Sequence, residues 1–230
     1  MLLQNRLYFL DTSISHYPNI NGRILSCFPD GSDLQEVVTQ IRSRPDGIAI
    51  DPVNLHIYWT NQGIQDENNG FIQRCDCDGR NIVTIIPKGV TWTPKQLKLA
   101  PLSKKLYWSD REGMRVMRAN LDGSDVEVLH QAGQGEADKK DCCNWCVGIA
   151  VDEEDEFVYW TQKGPARGGQ GRILRMPIPI HRPIGDFQTI NPEVLLEGLP
   201  EPIDLDFDAN FQQLWWTDRG DPPSEIRLIQ

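Results

Sequence analysis

The sequence predicts an all-β fold assembled from repeated four-stranded units. The first observation is an aromatic phrase, typified by Tyr107-Trp108-Ser109-Asp110, that occurs five times along the 230 residues. Its copies begin roughly 50 residues apart, and self-similarity at such a period indicates a repeat architecture. The second observation is that short runs with alternating polarity and β-branched residues flank each copy. The third is a recurring Asp-Gly pair, which is typical of hairpin turns.

The aromatic phrase supplies the second strand of each unit. Its copies are Tyr8-Phe9-Leu10-Asp11, Tyr58-Trp59-Thr60-Asn61, Tyr107-Trp108-Ser109-Asp110, Tyr159-Trp160-Thr161-Gln162 and Trp215-Trp216-Thr217-Asp218. We expect the large rings to fill the space between neighbouring units. We expect the Thr, Ser and Asp side chains to hydrogen-bond to the backbone where the strand enters its turn.

Three further strands complete each unit. The first strands are predicted at 47–51, 96–100, 148–152 and 203–207, the third at 22–25, 70–73, 114–117 and 171–174, and the fourth at 37–38, 82–85, 126–129 and 193–196. The pairs Asp30-Gly31, Asp78-Gly79 and Asp122-Gly123 separate third from fourth strands, because glycine accepts the positive φ of a tight hairpin turn. No stretch carries a convincing apolar stripe of helical period.

These motifs resemble the class B, or YWTD, repeats of the low-density lipoprotein receptor family. The fullest copy runs from Lys105-Leu-Tyr-Trp-Ser-Asp110 to Ala119-Asn-Leu-Asp-Gly-Ser124, and Gly-Ile-Ala-Val-Asp152 is the matching first strand of the next copy. The resemblance covers essentially the whole chain and implies a six-bladed β-propeller. The epidermal-growth-factor-like modules and calcium-binding cysteine repeats of receptors are absent, so the chain looks closer to stand-alone soluble microbial members.

The repeat count implies an incomplete ring. The chain starts at a second strand and stops at a third strand, at 225–230. We therefore expect a single truncated propeller domain over 1–230 with about four and a half blades of four antiparallel strands. Its repeat units are predicted at approximately 1–44, 45–94, 95–144, 145–200 and 201–230. The remaining blades, roughly 70 residues, are expected to be missing from this chain.

The composition of the chain disfavours some classes of binding partner. The chain has 33 acidic and 23 basic residues, a net charge of −10, which disfavours nucleic acid and anionic membranes as partners. No run approaches the ~20 apolar residues of a membrane span, so no membrane insertion is expected. The N-terminus has no secretory signal and no Asn begins a glycosylation site, which favours the cytoplasm. An extracellular location is expected instead if the chain belongs to a larger receptor-like protein.

The six cysteines are compatible with several chemical states. They are Cys27, Cys75, Cys77, Cys142, Cys143 and Cys146. Because nothing else marks the chain as secreted, we expect reduced and largely buried thiols. The loop from Cys142 to Cys146 could instead form a disulfide, present a reactive thiol or bind a metal. A structural zinc site usually takes four Cys or His ligands, and the nearest preceding histidine, His130, is distant in sequence.

The loops of one face are the predicted functional region. In a four-stranded meander the turns after the second and fourth strands emerge at the same end, and here they are long, charged and aromatic. Function concentrates on such loops, although the same residues could simply form turns and solvate the surface. The candidates for a ligand-binding face are Asp46, Trp92, Lys95, Arg111, Glu112, Trp145, Lys163, Glu201, Asp218 and Arg219.

Two functions fit these residues. The first is a non-enzymatic binding module without a cofactor, whose face takes a protein, a peptide or a small polar ligand, as receptor propellers with similar repeats do. The alternative is a metal-dependent hydrolase resembling gluconolactonases, with a divalent cation such as calcium held by hard oxygen ligands. Its available ligands are Asp46, Asp110, Asn144, Glu201 and Asp218. Motifs of other catalytic classes are missing, so no catalytic residue is assigned.

Overall fold

The computed structural model describes residues 5–13, 21–178 and 191–220, and the backbone of 225–229. The chain divides into two compact units, Met1–Leu99 and Ala100–Gln230. Residues 1–4, 14–20, 179–190, 221–224 and 230 lie outside the described residues.

The first unit contains two antiparallel sheets. One has the order β1-β2-β3, with β1 at Leu7–Asp11, β2 at Gly22–Cys27 and β3 at Gln35–Ile41. The other has the order β4-β5-β6-β7, with β4 at Pro45–Asp51, β5 at His56–Asn61, β6 at Gly70–Asp76 and β7 at Val83–Thr91. Strand β8, Pro94–Ala100, follows. Within each of these two sheets, strands that are consecutive in sequence pair with each other, as a meander requires.

The second unit repeats this arrangement. Strands β9 (Lys105–Asp110), β10 (Arg115–Asn120) and β11 (Glu127–Gln131) pair in antiparallel order. A sheet of order β12-β13-β14-β15 contains Cys146–Asp152, Phe157–Gln162, Gly171–Pro177 and Glu193–Leu199. A sheet of order β16-β17-β18 contains Pro202–Asp208, Gln213–Asp218 and Glu225–Ile229. The predicted all-β class and the four-stranded meander are confirmed.

A short helix interrupts the strands. Helix α1, Gly135–Lys140, and a 3₁₀ turn at Cys142–Asn144 lie between β11 and β12. Acidic Glu136 and Asp138 stand in the first turn of α1, and Lys139 and Lys140 in its last turn, which suits the helix dipole. The helix was not predicted because six residues are too few to show an apolar stripe.

The rings of the aromatic phrase pack between sheets in the middle copies. Trp59, on β5, is fully buried in one cluster with Ile24 and Val38 of the preceding sheet. Trp160, on β13, is fully buried with Tyr107 and other side chains of the preceding sheet. The last copy does the same, because Trp216 is buried in one cluster with Tyr159 and Ile173 of the preceding sheet, whereas Phe9 of the first copy remains partly exposed. The predicted packing role is therefore confirmed for these later copies and not for Phe9.

The hydroxyl group in the aromatic phrase was predicted to hydrogen-bond to the turn after its strand, but in the structure it bonds elsewhere. The Thr60 hydroxyl accepts the Gly47 N–H at 2.8 Å and donates to the Lys95 carbonyl at 2.7 Å. These bonds connect β5 to the first strand of its own sheet and to β8, rather than to the turn after β5. An added Cβ on Gly47 would lie 2.5 Å from the Lys95 oxygen. The glycine before Ile-Ala is thus required by close backbone approach.

The predicted Asp-Gly turns are present. Gly31, Gly79 and Gly123 have φ values of 83°, 81° and 87°, in the region that glycine adopts without strain. Each preceding Asp accepts the backbone N–H two residues on, as Asp122 does from Ser124 at 2.9 Å. This local bond closes the turn.

Candidate functional site

A contact chain around Trp145 gathers seven of the predicted face residues in the second unit. Trp145 lies directly before β12 and is half-buried. Its indole Nε1–H donates to the Lys139 carbonyl at 2.8 Å, so helix α1 fixes the ring. Asn144 donates to the Asp138 carbonyl at 3.1 Å and ties the 3₁₀ turn to the same helix. The ring is therefore held rigidly at the start of the strand.

Two cations stack on the Trp145 ring. The Arg111 guanidinium carbon, just after β9, is 5.1 Å from the ring centroid. The Lys163 ammonium nitrogen, just after β13, is 5.7 Å from it. The Lys163 backbone N–H also donates to the Trp145 carbonyl at 3.2 Å. Each cation is attracted by the ring quadrupole, and loops from three parts of the unit converge on one indole.

Glu201 extends this chain toward β17. Its buried carboxylate lies 2.8 Å from the Lys163 ammonium and 3.6 Å from the guanidinium of Arg219. Its backbone N–H donates to Asp218 Oδ1 at 2.9 Å. The Arg219 side chain is 63% exposed, so it is the most accessible charge of the group.

Two carboxylate oxygens of the group are buried and unpaired. Glu112 is almost completely buried, and its Oε1 accepts from Arg111 Nε at 2.8 Å, whereas its Oε2 has no partner among the described residues. Asp218 Oδ2 is likewise buried without a described partner. A buried acceptor without a donor costs about 1–3 kcal/mol. Both atoms are therefore positions where bound water or a ligand donor would be stabilising.

The candidates of the first unit form a separate ion pair. The Lys95 ammonium contacts the Asp46 carboxylate, and the side-chain amides of Gln62 and Gln96 also donate to it, the latter at 3.2 Å. Trp92 is half-buried, and its carbonyl accepts the Gly70 N–H at 3.0 Å. Asp46 is thus already saturated by local donors.

The residues of the hydrolase hypothesis have their own partners. Asp110 is fully buried and pairs with Arg115 at 2.5 Å, while Asp46, Asn144 and Glu201 make the contacts given above. Within the described ranges, no group of three or more His, Cys, Asp or Glu side chains is placed to hold a metal ion. A hard cation prefers several converging oxygens, and this arrangement instead gives each carboxylate a protein donor.

The cysteines are free thiols. Burial raises the pKa of Cys75 to about 12 and that of Cys77 to about 11, and it raises the pKa of Cys146 further. In the loop, Cys143 Sγ lies 3.3 Å from Gln170 Oε1, and burial also raises its pKa. A thiol with a raised pKa is a poor nucleophile, so these side chains act as small packing groups.

The groups that hold Trp145 in place were not predicted from the sequence. Helix α1 and the Lys139 carbonyl, which orient Trp145, have no recognisable signal in the sequence. His130, considered there only as a metal ligand, packs against the buried Trp160 with ring centroids 4.9 Å apart and the rings tilted by 34°. It is half-buried at the edge of the core.

In the part of the chain that the structure describes, none of the helices has the length and apolar character needed to cross a membrane.

Two known proteins are similar to this chain over nearly its whole length. No protein-family model matches it. It is 51% identical over 226 residues to the Low-density lipoprotein receptor-related protein 1 of Pyricularia oryzae, covering 96% of this chain and 72% of that protein. It is 37% identical over 224 residues to the 3-hydroxyacyl-CoA dehydrogenase-like protein LAM1 of Cochliobolus heterostrophus, covering 95% of this chain but only 46% of that protein.

Solved structures show the same fold. A chain from the crystal structure of a nidogen/laminin complex matches with a TM-score of 0.69 at 22% identity, covering 96% of this chain and 73% of that one. TolB from Acinetobacter baumannii matches with a TM-score of 0.65 at 13% identity, covering 97% and 50%. At these identities the likeness shows the β-propeller fold alone. Together with the 51% identical relative and the five aromatic phrases, it shows that the chain belongs to the low-density lipoprotein receptor class B (YWTD) repeat β-propeller family.

Proposed function

We propose that the loop face around Trp145 binds a polypeptide partner and that the chain is a non-enzymatic binding module. The observation that carries this proposal is the contact chain in which Arg111 and Lys163 stack on one half-buried indole, and Glu201 and Arg219 continue outward from Lys163. Tryptophan and arginine are the residues that most often dominate the binding energy of protein interfaces.

The rigidity of the ring supports this proposal. Trp145 is already fixed by its bond to the Lys139 carbonyl and by two stacked cations. A side chain that is ordered before binding loses little conformational entropy when a partner covers it. The buried and unpaired oxygens of Glu112 and Asp218 in the same contact chain are positions where a bridging water would be stabilising.

The relatives add support at the level of the fold. The structural neighbour comes from a nidogen/laminin complex, so a similar propeller occurs in a protein–protein assembly. The dehydrogenase-like name belongs to a protein of which this chain spans 46%. Propellers host many functions, and the proposal therefore rests on the Trp145 group.

Selection from a random peptide library tests the proposal. A phage-displayed library is panned on the wild-type protein, and the affinities of the enriched peptides are then measured by calorimetry. We expect Trp145→Ala to weaken their binding at least about tenfold, because truncating a central hot spot costs about 2 kcal/mol or more. Trp215→Ala is the matched control, since Trp215 is also partly exposed but lies on β17 outside the contact chain.

Two results would overturn the proposal. One is that the library yields no peptide that binds the folded protein. The other is that the enriched peptides bind the Trp145→Ala variant as tightly as the wild type. Circular dichroism and the melting temperature of each variant establish that the loss is not caused by unfolding.

A further inference from the structure

A cavity of about 260 Å³ lies between the two sheets of the first unit. Its inner side is apolar, formed by the fully buried Trp59 of β5 with Val38 and Ile41 of β3. Its outer side includes Phe71 of β6 and Ile82, whose side chain is 47% exposed. The volume is slightly below the range of drug-sized pockets, about 300–1,000 Å³, so the space suits a small organic molecule.

One cation lines this cavity and a second lies against the ring of a lining residue. Arg42 lines it, is exposed and has no ion-pair partner among the described residues. The Lys88 ammonium lies 5.5 Å from the centroid of the Phe71 ring, at the outer wall. The chain as a whole has a net charge of −10. Two cations beside one apolar cavity therefore create a locally positive electrostatic potential on an otherwise acidic protein. Such a potential attracts an anion.

A strained residue lines the same cavity. Gln40, near the end of β3, has a φ of 59°, a conformation that is uncommon for a residue other than glycine. The equivalent position of β15, one residue before its end, is Gly198 with φ 73°, and the larger bulge of β7 contains Gly89 with φ 93°. The first repeat thus carries an amide side chain where β15 uses glycine. Strain of this kind is often retained at ligand sites.

We propose that this cavity binds a small amphipathic monocarboxylate. Its apolar body packs against Trp59, Val38, Ile41 and Phe71, and its carboxylate lies between Arg42 and Lys88. Gln40, which lines the cavity, supplies an amide donor for the same carboxylate. This site belongs to the first unit and is independent of the polypeptide site around Trp145.

Nuclear magnetic resonance titration of the ¹⁵N-labelled protein tests the proposal. The probes are octanoate, 1-octanol and octylammonium, which share one apolar chain and differ in charge. We expect saturable shifts for octanoate at the Trp59 indole N–H and at the amides of 39–42 and 71–73. 1-Octanol should bind at the same place about fivefold more weakly, and octylammonium should bind more weakly still, because exposed charge pairs contribute up to about fivefold in affinity each.

Variants separate the cavity from general adsorption. Arg42→Gln with Lys88→Gln should weaken octanoate about fivefold or more and leave 1-octanol unchanged, whereas Lys104→Gln, an exposed cation of the second unit, should change neither. Ile82→Asp adds an anion at the exposed wall and should reverse the preference from octanoate to octylammonium. Gln40→Gly should weaken octanoate while preserving the fold, since glycine accepts this φ.

The proposal is overturned if octanoate shifts are absent, do not saturate or are scattered over the surface. It is also overturned if octanoate and 1-octanol bind equally, or if the double variant binds octanoate like the wild type.

Discussion

Thr161 Oγ1 lies 3.1 Å from the carbonyl oxygen of Ile203 and thereby connects β13 to the first strand of the next sheet. The same hydroxyl accepts the Gly148 N–H at 2.7 Å. Thr60 makes the equivalent pair of bonds in the first unit, and the Ser109 hydroxyl contacts the Val147 carbonyl. The third residue of the aromatic phrase is therefore a repeated link between sheets.

The first prediction concerns this link. Thr161→Val keeps the shape of the side chain but leaves the buried Gly148 N–H without an acceptor, so we expect a loss of about 1–3 kcal/mol in the free energy of unfolding. Thr217→Val is the matched control at the same phrase position, because among the described residues Thr217 accepts an exposed N–H, that of Asp204 at 3.2 Å, rather than a buried one. Urea denaturation of both variants measures the difference. Equal losses would contradict a special role for Thr161.

The second prediction concerns the glycine beneath the link. A Cβ on Gly148 would lie 2.4 Å from the Ile203 oxygen, and backbone cannot yield as a flexible side chain does. We expect Gly148→Ala to lower the free energy of unfolding by at least about 2 kcal/mol. Gly169→Ala, where no atom lies within 4 Å but φ is +65°, should cost about 1 kcal/mol. A smaller loss at Gly148 than at Gly169 would contradict the close-approach argument.

The sequence predicted the strands and the convergence of the loops well, because both follow from period and alternation. The register of the aromatic phrase assigns Arg111, Lys163 and Arg219 to positions after second strands, and Trp145 and Glu201 to positions before first strands. In the second unit these residues do meet. The repeat period determines at which end of the strands each loop residue lies. The set of residues that share the site could therefore be deduced from the sequence.

The hydrogen-bond partners of these side chains and the strained backbone of Gln40 could not be deduced in the same way. The phrase gives no sign that Thr60 bonds to Lys95, since a contact between sheets depends on their separation. The positive φ of Gln40 comes from a bulge in β3, where the pairing shifts between Ile24–Val38 and Gly22–Ile41. A single polar residue in the sequence of a strand does not distinguish a β-bulge from regular pairing.

The third prediction concerns the hydrolase alternative. Because Asp110 pairs with Arg115 and Glu201 with Lys163, we expect millimolar calcium to leave the melting temperature and the heat of titration unchanged. A ligand that binds only the folded state stabilises it by RT ln(1 + [L]/Kd). A rise in melting temperature that is reversed by a chelator and abolished by Asp218→Asn would therefore support the metal site instead.

The fourth prediction is a pH dependence set by His130. Burial against Trp160, with a smaller contribution from the charge of Arg172, lowers the pKa of His130 from 6.5 to about 4. Above pH 6.5 the ring is neutral in both states and its contribution to stability is fully present. As the pH falls from 6.5 toward 4, the unfolded chain binds the proton first, and stability is lost.

Comparison of the wild type with His130→Phe isolates this contribution, since phenylalanine keeps a ring against Trp160 and does not titrate. Between pH 7 and 5 we expect the wild type to lose about 2 kcal/mol more of its free energy of unfolding than the variant does, at up to about 1.4 kcal/mol per pH unit. Urea denaturation at matched ionic strength measures both profiles. Parallel profiles would mean that His130 has an ordinary pKa in the folded state, and hence that the ring is hydrated rather than buried against Trp160.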